Sequence, residues 1–400
     1  MAARRPRVLI LVENQPVPHD KRVWPECLAL VEAGYEVVVV CPQGDRDRAA
    51  FERLAGVEIH RYAPAFAHGS RRGYLREYAT AAWHTALLAR RLARERGFDV
   101  VHACNPPDVL LLAALPLKRH GTRFVFDHHD LVPELYETRF GGRGLLYRLS
   151  CLLERLTFLV ADVVISTNES YRRIALERGR KRPEDVFVVR NGPDTAGLSP
   201  APLARAARPG GVHVLAYVGV MGPQDGVDVA LHALAHLRGL RSDWRAVLVG
   251  DGDVHREMVE LARRLGLADV VEFTGFVHEP EGVRSLLAAA DVCLAPEPKT
   301  PLNDVSTMIK IAEYMAMARP VVAFDLTESR VTAGDAALYA EPNDPASFAA
   351  CIDVLLDDPG RRAAMGALGR ERVANGLGWE RSKRSLLDAY AHALAGRGGG

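Results

Sequence analysis

The sequence predicts an α/β protein built as two doubly wound parallel-sheet units in tandem. Short apolar runs alternate with longer amphipathic stretches throughout the chain, the pattern of parallel strands joined by crossover helices. That series is interrupted where Pro193, Pro200, Pro202 and Pro209 fall in a stretch rich in Ala, Arg and Gly, which reads as a linker. The chain has 400 residues, more than one hydrophobic core usually organises.

In the first half the apolar runs place strands at 8–12, 37–41, 57–62, 100–103, 124–127, 163–167 and 186–190. The second series falls at 214–218, 245–250, 270–274, 291–295 and 321–324. These runs divide the chain into domains 1–205 and 206–400. The glycine-rich tail 396–400 is expected to lack order. In sheets of this kind ligands bind beyond the carboxyl ends of the strands, so the informative residues are those just after each run.

Composition excludes several classes. Hydrophobic residues make up 48% and charged residues 25%, a globular balance rather than a disordered one. A formal net charge of +1 gives no general attraction to nucleic acid. The six cysteines are scattered without a CxxC pair, which argues against a disulfide framework or structural zinc and for a reducing compartment. The apolar run 8–12 is too short for a signal peptide and meets Glu13 at once. No run approaches the roughly 20 apolar residues needed to cross a bilayer. A cytoplasmic protein is expected, at most peripheral on the inner membrane face.

The segment 304–325, DVSTMIKIAEYMAMARPVVAFD, carries the sharpest functional signal. It reads as a loop feeding a helix that opens at Ser306 and Thr307, followed by a buried strand begun by Pro320. Ser and Thr are favoured helix caps, and the remaining free amides with the helix dipole attract an anion such as phosphate. Met308 lies in that first turn. Lys310 follows Ser306 by one turn and Glu313 lies three residues on, so cation and carboxylate share a face. Anion site, lysine and carboxylate in sequence suit a nucleotide diphosphate followed by a ribose diol. The alternative is an ordinary surface helix with solvated charges.

At these residues the chain resembles the donor-site helix of family 4 glycosyltransferases. Their fold is GT-B, two Rossmann-like doubly wound domains facing across a cleft. The resemblance implies that Glu313 binds the ribose hydroxyls, and that the last helix, near 379–394, crosses back to the first domain. Glycines follow three successive strands of this half: Gly219 and Gly222, Gly250 and Gly252, then Gly275 before Phe276 and Val277. They allow close backbone approach to a donor, with Phe276 and Val277 near a base edge. Asp251 and Asp253 form an Asp-x-Asp, better read as a loop than as a metal site, and neither metal nor cofactor is expected. Three positions depart from the family pattern. Val220 and Asp225 stand where an Arg and a Lys commonly serve the diphosphate, and Val305 stands at the usual first glutamate. Asp304 is then the candidate for donor-sugar hydroxyls, and Lys310 with the helix amides for the phosphate charge.

In the first half, the strand 8–12 leads into ENQPVPHDKRVW rather than GxGxxG, so a nicotinamide-binding reading loses its fingerprint. Asp20, Lys21 and Arg22 either contact an acceptor or only precede a helix, and Asn105, after another strand, is a further acceptor candidate. FVFDHHDLVPELY is similar to the DxHD element of related sugar transferases. That likeness implies a histidine near the donor's anomeric carbon, and His129 fits best, with His128 toward the acceptor. Residues 70–96 carry seven arginines against two glutamates, with Tyr74, Tyr78 and Trp83 among them. Such a helix covers its own sheet with arginines outward, or lies on an anionic membrane.

The implied activity is transfer of a sugar from a UDP-, GDP- or dTDP-sugar to an acceptor hydroxyl with retention of anomeric configuration, with His129, Lys310 and Glu313 catalytic. The resemblance favours polysaccharide or glycoconjugate synthesis. A lipid-linked saccharide is the leading acceptor class and a small-molecule aglycone the next. A sugar-nucleotide epimerase of the same fold and a non-catalytic nucleotide- or partner-binding protein are the alternatives.

Overall fold

The computed structural model describes residues 4–44, 47–64, 71–193 and 211–396. The chain divides into two compact units, 1–191 with 382–400, and 192–381. The expected boundary at 205/206, most of the proline-rich stretch and residues 397–400 lie outside the described residues.

Unit 1 is an eight-stranded sheet in the order β3-β4-β2-β1-β5-β6-β7-β8. Its strands are β1 (Arg7–Leu11), β2 (Glu36–Pro42), β3 (Phe51–Leu54), β4 (Val57–Tyr62), β5 (Val100–Cys104), β6 (Arg123–His128), β7 (Val163–Ser166) and β8 (Val186–Val188). All pairings are parallel except β3 against β4. The central strands are buried on both faces, and so read as continuous Val-rich runs rather than alternating ones. Helix α1 (Val23–Glu32) follows β1. Helices α2 (Arg71–Arg96), α3 (Leu111–Lys118), α4 (Val132–Phe140), α5 (Leu145–Val160) and α6 (Glu169–Glu177) complete the crossovers. Ala81, Ala89 and Leu92 of α2 join the core with Leu117, Phe124 and Phe158, so this helix does cover its own sheet, with Arg90, Arg91 and Arg94 exposed.

Unit 2 is a parallel six-stranded sheet in the order β11-β10-β9-β12-β13-β14. The strands are β9 (His213–Val218), β10 (Trp244–Val249), β11 (Val271–Gly275), β12 (Val292–Ala295), β13 (Val321–Phe324) and β14 (Ala337–Ala340). Helices α7 (Val227–Leu240), α8 (His255–Arg264), α9 (Pro280–Ala289), α10 (Ile309–Ala316), α11 (Thr327–Ala333), α12 (Pro345–Asp357) and α13 (Pro359–Arg372) follow. Leu231 and Leu234 of α7 pack with Phe348 and Ile352 of α12 on one layer. Leu287 of α9 packs with Ile311, Tyr314 and Met315 of α10 on the other. The last helix, α14 (Trp379–Ala395), passes into unit 1 at Ser382. There the Tyr390 hydroxyl meets His102 Nδ1 at 2.6 Å.

Strands 57–62 and 321–324 run as the sequence suggests, whereas β3 and β14 were not expected. FERL in β3 is an exposed antiparallel edge with two charges in four residues, and ALYA in β14 offers little branched side chain. Helix α10 also starts later than its cap residues imply. It begins at Ile309 after Met308, without a side-chain cap, because the Ser306 hydroxyl donates to the Leu302 carbonyl at 2.7 Å.

The strand exits of unit 2 are sewn together by backbone. Gly219 N–H donates to Val249 O, Gly250 N–H to Gly275 O, and Met221 N–H to Asp251 O, each at 3.0 Å. Gly250 has φ +139°, and a Cβ there would sit 1.8 Å from the Gly219 carbonyl oxygen. Gly250→Ala is therefore expected to cost about 3 kcal/mol or more through strain and overpacking, read as a lower urea midpoint. A midpoint matching the parent would contradict this packing.

Candidate active site

Strand order reverses in unit 2 beside β9, with β10 on one side and β12 on the other, and ligands in doubly wound sheets bind at such a switch point. Tyr217 near the end of β9, Glu297 just after β12 and Lys310 in the first turn of α10 meet there. Lys310 Nζ donates to the Tyr217 hydroxyl at 3.1 Å, lies 4.3 Å from that ring's centroid and forms an ion pair with Glu297. Both charged residues are buried, at 9% and 2% exposure. Burial lowers the Lys310 pKa, but Glu297, Tyr217 and Asp225 outweigh it and hold the amine charged. Gly219 is explained by the same cluster: a Cβ there would fall 2.9 Å from Lys310 Nζ.

This arrangement revises several expectations. Lys310 is not a free cation waiting for phosphate; it is committed to Glu297 and Tyr217. Gly222 N–H donates to Asp225 Oδ2 at 2.9 Å, so an acid stands near the proposed diphosphate site. Gly252 packs on the Met221 carbonyl, 2.6 Å from where a Cβ would lie. Asp304 accepts from Thr327 N–H at 2.9 Å and from its hydroxyl at 3.1 Å, so its carboxylate caps α11. Thr307 Oγ1 donates to Glu328 at 3.4 Å. Met308 packs against the α10 core and Val277 against the layer of Val247 and Val249. Phe276 is exposed beyond β11, where a planar base could stack. Glu313 is half-buried on α10, one turn beyond the amides of Ile309 and Lys310, which lack intrahelical acceptors.

In unit 1 the carboxylate of Asp127, at the end of β6, is wholly buried. Arg22 grips it in a fork, Nη2 to Oδ1 at 2.6 Å and Nε to Oδ2 at 2.7 Å. His129 Nδ1 lies 3.1 Å from the same Oδ2. Burial alone would raise the Asp127 pKa, but Arg22 and His129 hold it well below the usual range. Burial lowers the His129 pKa, but Asp127 and Asp130 together raise it by more, leaving it above its ordinary value. The loop is set by Asn105, whose Oδ1 accepts from His129 N–H at 2.9 Å and Asp130 N–H at 3.0 Å.

Four of the acceptor-side candidates are buried in this structure. Asp20, Arg22, Asn105 and His128 are 5%, 7%, 1% and 0% exposed. Asp20 caps α1 by accepting from Arg22 N–H and Val23 N–H, both at 2.8 Å. His128 points into the core beside Phe158 and Tyr171, because successive side chains of a strand face opposite sides. His129 is the member of the motif left at the carboxyl edge.

Sequence reading overlooked Tyr217, Glu297, Asp127 and Glu13. Glu13 lines a small pocket of about 270 Å³ with Tyr62 and Glu77, and burial, then Glu77, pushes its pKa up to about 8. Glu297 and Glu13 share one missed signal, an acid directly after a buried strand. Among the described residues, the three-residue group with metal-ligand spacing is His102, Cys104 and Asp127, and Arg22 already neutralises its carboxylate.

Lys310→Met should cost about 3–5 kcal/mol by stranding the Glu297 carboxylate, and Lys310→Met/Glu297→Gln should recover most of that in urea melts. In an Asp127→Asn protein only burial, Arg22 and the remaining neighbours act on His129. Its NMR-measured pKa should then fall from above its ordinary value toward or below it, and an unchanged titration would refute the pairing.

Comparisons with known proteins follow this geometry. The family described as "Glycosyl transferase 4-like domain" matches residues 21–192, and "Glycosyl transferases group 1" matches residues 212–358. A D-inositol 3-phosphate glycosyltransferase of Kineococcus radiotolerans is 32% identical over 261 residues, 59% of this chain and 58% of that protein. The chain therefore matches little more than half the length of that relative. Sucrose-phosphate synthase from Thermosynechococcus elongatus shares the fold with a TM-score of 0.80 at 19% identity, covering 98% of this chain and 100% of that one. The Anabaena HepE protein, solved with UDP-glucose, gives 0.71 at 16% identity over 96% and 99% of the two chains. Both family descriptions, each on its own sheet, make this chain a member of the family 4 glycosyltransferases, with the GT-B fold.

Proposed function

We propose that the protein transfers a sugar from a nucleotide-sugar donor to an acceptor hydroxyl, with retention of anomeric configuration. The observation that carries this reading is the Tyr217–Glu297–Lys310 cluster at the β9/β12 switch point, directly under the first turn of α10. The cluster holds the helix start against the exit of β9 at Gly219. The amides of that turn then meet the diphosphate, and Glu313 takes the ribose diol. Lys310 acts by positioning the turn, its charge being balanced by Glu297. UDP is the favoured nucleotide, because a protein of the same fold is known with UDP-glucose bound; GDP- and dTDP-sugars are the other candidates.

Unit 1 supplies the acceptor side. Asp127 shifts His129 toward its protonated form, and we assign this residue to donating a hydrogen bond rather than removing a proton. With Nδ1 turned to Asp127, Nε2 is the atom left for a substrate hydroxyl or for charge developing at the reacting centre. In the transfer the bond from the anomeric carbon to the phosphate oxygen breaks and one to the acceptor oxygen forms. The acceptor proton passes to the departing phosphate. A lipid-linked saccharide is the leading acceptor class. A second reading, nucleotide binding without turnover, is favoured by Val220 and Asp225 standing where cationic contacts would strengthen diphosphate binding.

A thermal-shift panel of UDP-, GDP- and dTDP-sugars tests the proposal. The matching donor at 100 times its dissociation constant should stabilise by about 2.7 kcal/mol, and Glu313→Ala should abolish most of that gain. His129→Ala should leave the shift intact while lowering transfer about 100-fold or more. No shift with any donor would end the proposal; a shift without transfer to any acceptor would favour the second reading.

A further inference from the structure

Helix α5 leaves an apolar face without cover. Leu145, Leu149, Leu152, Leu156 and Leu159 are 81%, 43%, 52%, 38% and 76% exposed. Their spacing, four, three, four and three residues, puts them on one stripe of the helix. Arg148 and Arg155 are the other exposed residues along that stripe, and no acid interrupts it. Monomeric proteins rarely leave so continuous an apolar face open to water without a use for it.

The stripe borders an open cavity of about 580 Å³ between α2, α3, α4 and α5, walled by Trp83, Leu112, Tyr136, Phe140, Leu146 and Leu153. Trp83 and Leu112 are themselves 65% and 56% exposed, so groove and stripe make one surface. The groove begins at Pro107 and Val132, beside the turn that Asn105 holds at His129. Asp108 on its wall is buried and accepts from the Asn105 amide at 3.2 Å, and the other carboxylates around it are paired. Glu137 pairs with Arg143 at 3.0 Å, and Glu134 and Glu154 both pair with Arg178 at 2.6 Å. The exposed charge left on the α5 face is cationic.

We infer that the α5 face and its groove seat this unit on an anionic lipid surface, with the leucines in the acyl boundary and Arg148 and Arg155 among the headgroups. Charge decides between this occupant and a second copy of the chain. Two-fold pairing of the face with itself would bring arginines together with no acid to meet them, whereas anionic headgroups satisfy both. An amphipathic helix with Leu and Arg on its outward face binds in this way through apolar burial plus electrostatic attraction. The membrane contact that the sequence allowed as an alternative for α2 is assigned here to α5, with Trp83 the part of α2 that joins it. The inference stands apart from the transfer reaction and does not need it.

Co-sedimentation of the intact protein with phosphatidylcholine vesicles, with and without phosphatidylglycerol, is the test. Binding should require the anionic lipid and weaken as salt rises from about 0.1 M to about 0.5 M. Leu152→Glu/Leu159→Glu, at exposed positions, should abolish it, and Arg148→Glu/Arg155→Glu should weaken it about tenfold or more. Both variants should keep the parent's melting temperature and its thermal response to nucleotide sugar. Failure to sediment with anionic vesicles at low salt would overturn the inference, as would sedimentation unaffected by the leucine substitutions. Light scattering that found a dimer converted to monomer by Leu152→Glu/Leu159→Glu would assign the face to self-association instead.

Discussion

A lysine ammonium buried beneath the first turn of α10 must find a counter-charge, and the donor half is arranged around that requirement. Lys310 meets Glu297 and Tyr217, which draws β9, the exit of β12 and α10 to one point. Leaving either charge alone would cost several kcal/mol, so the position of the helix start is fixed by electrostatics as much as by packing. Gly219 suits this packing, since a Cβ there would fall 2.9 Å from the amine. The backbone ties among Gly219, Met221, Gly250 and Asp251 extend the same rigidity across three strand exits.

Unit 1 solves a similar problem with the signs exchanged. There the buried charge is the Asp127 carboxylate, and the forked Arg22 guanidinium neutralises it from the start of α1. Arg22 also donates to the Val189 carbonyl at 3.0 Å and to Asn191 at 2.5 Å, so a single side chain joins the exits of β1, β6 and β8. His129 is held on the remaining lone pairs of the same carboxylate. An imidazole fixed in this way keeps one nitrogen directed by the protein and leaves the other available, which is why His129 rather than His128 is the member of the pair proposed for the reaction.

Much of this was legible because buried parallel strands announce themselves as Val-rich runs. Helix α10 was legible as a helix leading into β13, though it starts at Ile309 rather than at Ser306. What the sequence could not show were partners distant along the chain. Arg22 and Asp127 are 105 residues apart, and no local pattern links them; nor does one link Lys310 to Tyr217, 93 residues away. Ser306, Thr307 and Asp304 have partners the sequence did not announce, for a related reason. Each has the chemistry of a ligand contact or cap, yet each finds a protein partner in Leu302, Glu328 or Thr327. The α5 leucines were passed over because a stripe of leucines usually means core, and only their exposure distinguishes this one.

The central claim is that a nucleotide diphosphate docks at the start of α10, on a turn braced from below by the Lys310–Glu297 pair. A crystal structure of the full chain with UDP-glucose tests it most directly. The account predicts phosphate oxygens about 3 Å from the first amides of α10, and the ribose diol within hydrogen-bond reach of Glu313. Nucleotide bound elsewhere, or bound only after Lys310 has left Glu297, would contradict it.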